Sequence, residues 1–143
     1  MKVYNFSDYS SVYNKFLSEL RDVNIQKDSM RFRKNLERIG EISAYEISKK
    51  LDKKNQITTT PLGVSGTYVP LNNLVLATIL RAGLPLHNGL LKYFDSAENC
   101  FISAYRKHTS KDDFEVEIHY MASPNLNDKV VLLSDPMLAS GKS

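Results

Sequence analysis

The sequence has one cysteine, no tryptophan and no long apolar run. With Cys100 alone, neither a disulfide framework nor a cysteine-based zinc cluster can form. No stretch approaches the roughly eighteen consecutive apolar residues that a membrane-spanning helix needs. The first ten residues are polar and aromatic and lack the apolar core of a secretory signal. A reducing cytoplasm is the expected setting. Neither sign of charge is in large excess. Nineteen Lys and Arg against sixteen Asp and Glu leave a net +3 over 143 residues. No basic run concentrates that excess, so nucleic acid is not the expected partner. Glycine and proline total eleven, most of them within 61–70 and 80–89. No linker, repeat or low-complexity segment divides the chain, and its length suits one domain with its own core.

The periodicities predict a helical N-terminal part followed by strands. Val12, Tyr13, Phe16, Leu17 and Leu20 share one stripe of a helix over Asp8 to Arg21, capped by Ser7 or Asp8. Phe32, Leu36, Ile39, Ile47 and Leu51 mark a longer helix from Ser29 to Leu51, with Gly40 as an interruption. Its basic face, Arg31, Arg33, Lys34 and Arg38, reads as solvated. Ile57 to Pro70 reads as short strands or an irregular hairpin.

From residue 74 the pattern changes. Leu74 to Leu80 is apolar without alternation, as in a strand covered on both faces. A short helix follows around Leu86 to Phe94. Phe101 to Tyr105 reads as a strand and Arg106 to Asp113 as a polar loop. Phe114 to Ala122 alternates strictly and suits a strand near a sheet edge. Val130 to Leu133 reads as another buried strand. The fold class implied is α/β, a mainly parallel sheet with an N-terminal helical segment. Ligands of such sheets sit beyond the carboxyl ends of the strands. Those ends are Arg81-Ala82-Gly83, Tyr105-Arg106 and the stretch from Asp135 to Ser143.

That last stretch reads Asp135-Pro136-Met137-Leu138-Ala139-Ser140-Gly141-Lys142-Ser143. A small-residue loop lets backbone N–H groups converge on a phosphate. Ser140 and Ser143 add hydroxyl donors. The acid at the strand end suits ribose hydroxyls, or a magnesium ion through water. Two other readings compete with a phosphate cradle. Gly141-Lys142-Ser143 ends like a Walker A loop, but Pro136 stands where that motif needs its first glycine. A plain strand-to-helix turn would also favour Ser-Gly. His87, His108 and His119 lie too far apart in sequence to form a metal motif. Cys100 is expected to be buried and inert.

The nine residues Asp135 to Ser143 resemble the phosphoribosyl pyrophosphate loop of the uracil phosphoribosyltransferases, a type I phosphoribosyltransferase family. Ile79-Leu80-Arg81-Ala82-Gly83-Leu84 is similar to a second motif of that family. Met30-Arg31-Phe32-Arg33 with Gly40 and Ala44-Tyr45-Glu46 is similar to its N-terminal helix. Tyr105-Arg106 matches the pair that opens its flexible loop. Thr60 to Val64 and Ala122-Ser123-Pro124 look like the branch found in Bacteroidetes-type bacteria. Ser140 replaces the usual threonine, and Lys142 the usual second glycine.

The resemblance implies transfer of a phosphoribosyl group from phosphoribosyl pyrophosphate to uracil. It makes Mg2+ the cofactor and a homo-oligomer, a dimer or larger, the expected assembly. It assigns Asp135 to the ribose hydroxyls and Pro136, Met137, Leu138, Ala139, Ser140, Gly141, Lys142 and Ser143 to the substrate-binding loop, which wraps the 5-phosphate from Met137 on. Arg81 and Arg106 are assigned to the pyrophosphate. No acid–base residue is required. The resemblance also implies that residues 1–143 form a single domain lacking the base-binding part, inactive as a fragment. A carboxylate at a terminal Ser143 would repel the phosphate. The alternative is a non-catalytic relative of the same fold that regulates transcription by binding RNA.

Overall fold

The computed structural model describes residues 2–108 and 114–137, with side chains for all of these except 105–108 and 114–117. The N-terminus begins with a 3-10 turn, Phe6–Asp8, rather than a helix. Asn5 organises it by accepting from the Ser7 N–H and hydroxyl. Its amide also donates to Asp8, so Ser7 and Asp8 are not free to cap the next helix. Helix α1 spans Val12–Arg21 and is capped by Ser11, whose Oγ accepts from Tyr13 N at 3.2 Å. Helix α2 spans Ser29–Ser48, and Asp28 caps it by accepting from Met30 N and Arg31 N. It ends three residues before the expected Leu51, which still packs on the core from beyond the helix.

On the basic face of α2, Arg31, Arg33 and Lys34 are exposed, as expected, and Arg38 is half-buried. Glu19 of α1 accepts from the buried Asn35 at 2.7 Å and pairs with Arg31. Arg38 donates to Asn35 and lies over the Phe16 ring. These contacts fasten α1 to α2. Arg38 is thus used for its flat guanidinium, which donates along its edge and stacks on its face.

A two-stranded antiparallel hairpin comes next, β1 (Lys53–Thr60) and β2 (Gly63–Pro70). It is longer and more regular than expected, in unbroken register from Lys53↔Pro70 to Thr60↔Gly63. Gly63 closes its turn at φ 130°, a region that excludes side chains. Thr60 Oγ1 donates to Gly63 O across that turn.

The main sheet has four strands in the order β5-β4-β3-β6. They are β3 (Leu74–Leu80), β4 (Glu98–His108), β5 (Phe114–Ala122) and β6 (Val130–Ser134). Strand β3 runs parallel to both β4 and β6, while β4 and β5 are antiparallel. The continuous apolar run of β3 is accounted for by its central place. Leu74 and Leu76 pack with Ala44, Leu90, Phe94 and Ala97 on the helical side. Val75 and Ala77 pack with Cys100 on the other. Cys100 is buried, as its apolar surroundings led one to expect.

Helix α3 (Leu84–Leu91) follows β3 and crosses α2. Gly40 and Gly89 meet at the crossing, and a Cβ on Gly40 would overlap Leu86 O while one on Gly89 would overlap Glu37 O. Gly40 is therefore the contact point of two helix backbones and not an interruption.

Three further expectations are corrected. Strand β4 continues through His108, because β5 supplies ladder partners as far as His108↔Phe114. Residues 106–108 are thus strand and not loop, and the rest of the expected loop, 109–113, lies outside the described residues. In β5 the register passes from Ser103↔Tyr120 to Ala104↔Ile118, so a bulge at His119 breaks the strict alternation. Strand β6 is not buried on both faces. It is an edge strand among the described residues, and Val131 and Leu133 are 41% and 58% exposed.

Candidate functional site

Parallel neighbours end at the same side of a sheet, and β3 and β6 do so in register at Thr78↔Ser134. Arg81 and Asp135 emerge there, each just after its strand. The Leu80–Arg81 peptide is cis. The chain then turns through Ala82 and Gly83 into α3, closed by Gly83 N donating to Ile79 O at 3.0 Å. Arg81 is exposed at the head of this turn.

Asp135 is half-buried, and its Oδ1 accepts from Met137 N at 3.1 Å. That bond bends the chain over the strand end, as Asp commonly does in turns. Pro136 is half-buried and Met137 exposed. The remaining expected cradle residues, Leu138, Ala139, Ser140, Gly141, Lys142 and Ser143, lie outside the described residues.

The two strand ends touch through their backbones. A Cβ on Gly83 would sit 2.9 Å from Ser134 O and 2.8 Å from Ile79 O, and would overlap Thr78 Oγ1. Only glycine lets the Arg81 turn lie this close to β6. Beneath it, Thr78 Oγ1 faces Ser134 O at 3.4 Å, and Ser134 Oγ donates to Ala77 O at 3.1 Å. Both side chains are buried. Sequence reasoning passed over Thr78 and Ser134. A hydroxyl inside or at the end of an apolar strand was the available signal.

Arg106 is on β4, beyond Ser103, the last β4 residue paired with β3. Its strand thus passes the same end of the sheet, and its side chain lies outside the described part of the molecule. A groove of about 310 Å³ adjoins Asp135, walled by Ile47, Leu86, Leu90 and Val131 to Leu133, with Ser43, Ser134 and Asp135 as polar members. A wider cleft of about 820 Å³ lies between the N-terminal segment and α2. It shares Phe6 and Ile47 with the groove and reaches no strand-end residue.

His87 of α3 is buried, its Nε2 lies 2.8 Å from Asn99 Oδ1, and its Nδ1 has no hydrogen-bond partner. Burial holds the imidazole below the usual histidine range, against a smaller opposing effect of the Asn99 bond. It is a core residue. Among the described residues no group of three His, Cys, Asp or Glu could hold a metal.

A mainly parallel sheet, a helical N-terminal part and an arginine turn held against an acidic strand end make up an α/β domain, in keeping with the type I phosphoribosyltransferase fold that the resemblance implied. The model of the family described as uracil phosphoribosyltransferase matches residues 9–143. The chain belongs to the uracil phosphoribosyltransferase family. It is 53% identical over 143 residues to a uracil phosphoribosyltransferase of Porphyromonas gingivalis, covering all of this chain and 66% of that one. It is 39% identical over 144 residues to a namesake from Thermococcus gammatolerans, covering 99% of this chain and 62% of that one. For one from Methanococcus maripaludis the figures are 38%, 99% and 60%. The chain therefore spans a little under two thirds of the length of these curated relatives. A solved Aquifex aeolicus protein superposes with a TM-score of 0.80 at 26% identity, covering 94% of this chain and 62% of that one.

Proposed function

We propose that the protein carrying these residues is a uracil phosphoribosyltransferase, converting uracil and phosphoribosyl pyrophosphate to uridine monophosphate and pyrophosphate. The observation that carries this reading is the Arg81 turn lying against the end of β6, one residue before Asp135. In it, Asp135 accepts from the ribose hydroxyls and residues 136–143 present N–H groups and hydroxyls to the 5-phosphate. Arg81 and Arg106 hold the pyrophosphate.

The chemistry suits such a site. Breaking the anomeric C–O bond builds positive charge on the ribose and negative charge on the leaving pyrophosphate. Guanidinium groups fixed beside the leaving oxygens stabilise that charge, and positioning supplies the rest, with no nucleophilic side chain. The lone carboxylate of Asp135, with no three-ligand cluster among the described residues, fits a Mg2+ held by substrate oxygens and water rather than a protein cage. Bound so, the ion neutralises pyrophosphate charge, and Asp135 would reach it through water.

The groups that recognise uracil are proposed to belong to the part of the relatives' length that this chain does not span. Residues 1–143 assayed alone are then expected to form no uridine monophosphate. The proposed assembly is a homo-oligomer, and the setting cytoplasmic. No helix among the described residues is long and apolar enough to cross a membrane. The test is isothermal titration of the whole protein carrying these residues with phosphoribosyl pyrophosphate and Mg2+, with ATP as control. Saturable heat for the first ligand alone is expected. Preference for ATP would favour a nucleotide-binding loop, and silence toward both would overturn the reading.

A further inference from the structure

The Arg81 turn and the Asp135 turn lean on residues that neither turn contains. Thr78 is fully buried in β3, and its hydroxyl fills the space directly under Gly83. The same hydroxyl faces Ser134 O at 3.4 Å. That is long for an O–H···O bond, so it is a weak polar contact, which a methyl group in its place would remove. Ser134 answers from β6 with a shorter bond, its Oγ donating to Ala77 O at 3.1 Å. Two side-chain hydroxyls thus stitch the ends of β3 and β6 beyond the ladder itself. The β-branched Thr78 is stiff about χ1, so its hydroxyl stays where the strand puts it.

We infer that Thr78 and Ser134 are positioning residues that set the distance between the Arg81 turn and Asp135, and through it the affinity for a phosphoribosyl pyrophosphate-like ligand. Neither needs to touch that ligand. The Arg81 turn cannot approach β6 more closely without colliding with Thr78 Oγ1 and Ser134 O, and it is closed from behind by the Gly83–Ile79 bond. A ligand that bridges arginine and carboxylate would feel a displacement of a few tenths of an ångström as lost charge-assisted hydrogen bonds. The inference rests on the function proposed above for the ligand, though not for the geometry.

Thr78→Val keeps the shape and replaces the hydroxyl with a methyl group. Thr78→Ser keeps the hydroxyl. Titration with phosphoribosyl pyrophosphate and Mg2+ is expected to show Thr78→Val weakened by roughly two- to tenfold, the scale of one hydrogen bond. Thr78→Ser should return to near the wild-type value even where it melts lower, since it has lost a buried methyl. That opposite ordering of affinity and melting temperature is something a purely structural role would not produce. Ser134→Ala is the second variant and should also weaken binding. In the unliganded protein, amide hydrogen exchange at Gly83, Leu84 and Met137 should quicken in Thr78→Val and Ser134→Ala and not in Thr78→Ser. Wild-type affinity and exchange in both Thr78→Val and Ser134→Ala would overturn the inference. So would affinity falling in step with melting temperature across all three variants. A wild-type chain that does not bind would sink the proposed function separately, and the exchange rates would still decide the geometry.

Discussion

Arg81 and His87 lie six positions apart and illustrate opposite kinds of residue. Arg81 is exposed, so its removal should leave stability untouched and appear only with ligand. Losing a charge-assisted bond costs about 1.5–3 kcal/mol, and Arg81→Ala is expected to weaken phosphoribosyl pyrophosphate binding by about 10- to 100-fold in titration. His87 should act on stability alone. Its folded-state pKa is depressed by burial, so the unfolded chain binds the proton first. Stability is at its full value above about pH 6.5, the unfolded value. It falls as the pH drops from there toward the lowered folded value. Urea midpoints measured at pH 7 and pH 5 should drop more for wild type than for His87→Phe; equal drops would contradict a buried neutral imidazole. At this scale the sequence was informative about Arg81 and Asp135, because both sit in motifs at strand ends. It was silent about the burial of His87, since a single histidine carries no pattern.

Elements were legible wherever their environment was symmetrical. The run Leu74 to Leu80 is bounded as the sequence suggested, because a central parallel strand is apolar on both faces and its ladder with β4 lasts to its final residue, Leu80↔Ser103. Val130 to Leu133 has the same texture and a different fate, since apolar residues on an edge strand look the same in sequence as those in a core. Gly40 shows the limit from the other side. Read along one helix it is a weak point, and only the crossing with α3 reveals what it admits. Gly40→Ala would gain helix propensity of about 1 kcal/mol and yet force the α2 and α3 backbones apart. Overpacking of this kind costs about 1–3 kcal/mol or more. A net loss of thermal stability is expected, and a rise in melting temperature would show that the helices do not cross so closely. The salt bridges from Lys92 to Glu37 and Glu41 lie along the same α2–α3 contact and would not offset that loss, being exposed to solvent.

For the whole molecule, the hairpin is the feature that the single chain does not explain. It pairs with no other strand among the described residues, and Ile57, Val64 and Tyr68 are 63%, 74% and 73% exposed. An isolated two-stranded hairpin is marginal in water, which supports a second copy as what it packs against. Ile57→Lys with Tyr68→Asp is expected to lower the molecular mass seen by light scattering while the monomer stays folded; an unchanged oligomer, or a wild-type monomer, would contradict this. Where the ligand sits can be read from backbone amide shifts of the labelled protein, followed by NMR during titration with phosphoribosyl pyrophosphate and Mg2+. The perturbed amides are expected to cluster at Arg81 to Leu84 and at Asp135 and Met137, two turns far apart in sequence and joined at the ends of β3 and β6. Perturbations confined to the cleft beside Tyr4 and Lys50, or none at saturating ligand, would contradict that placement.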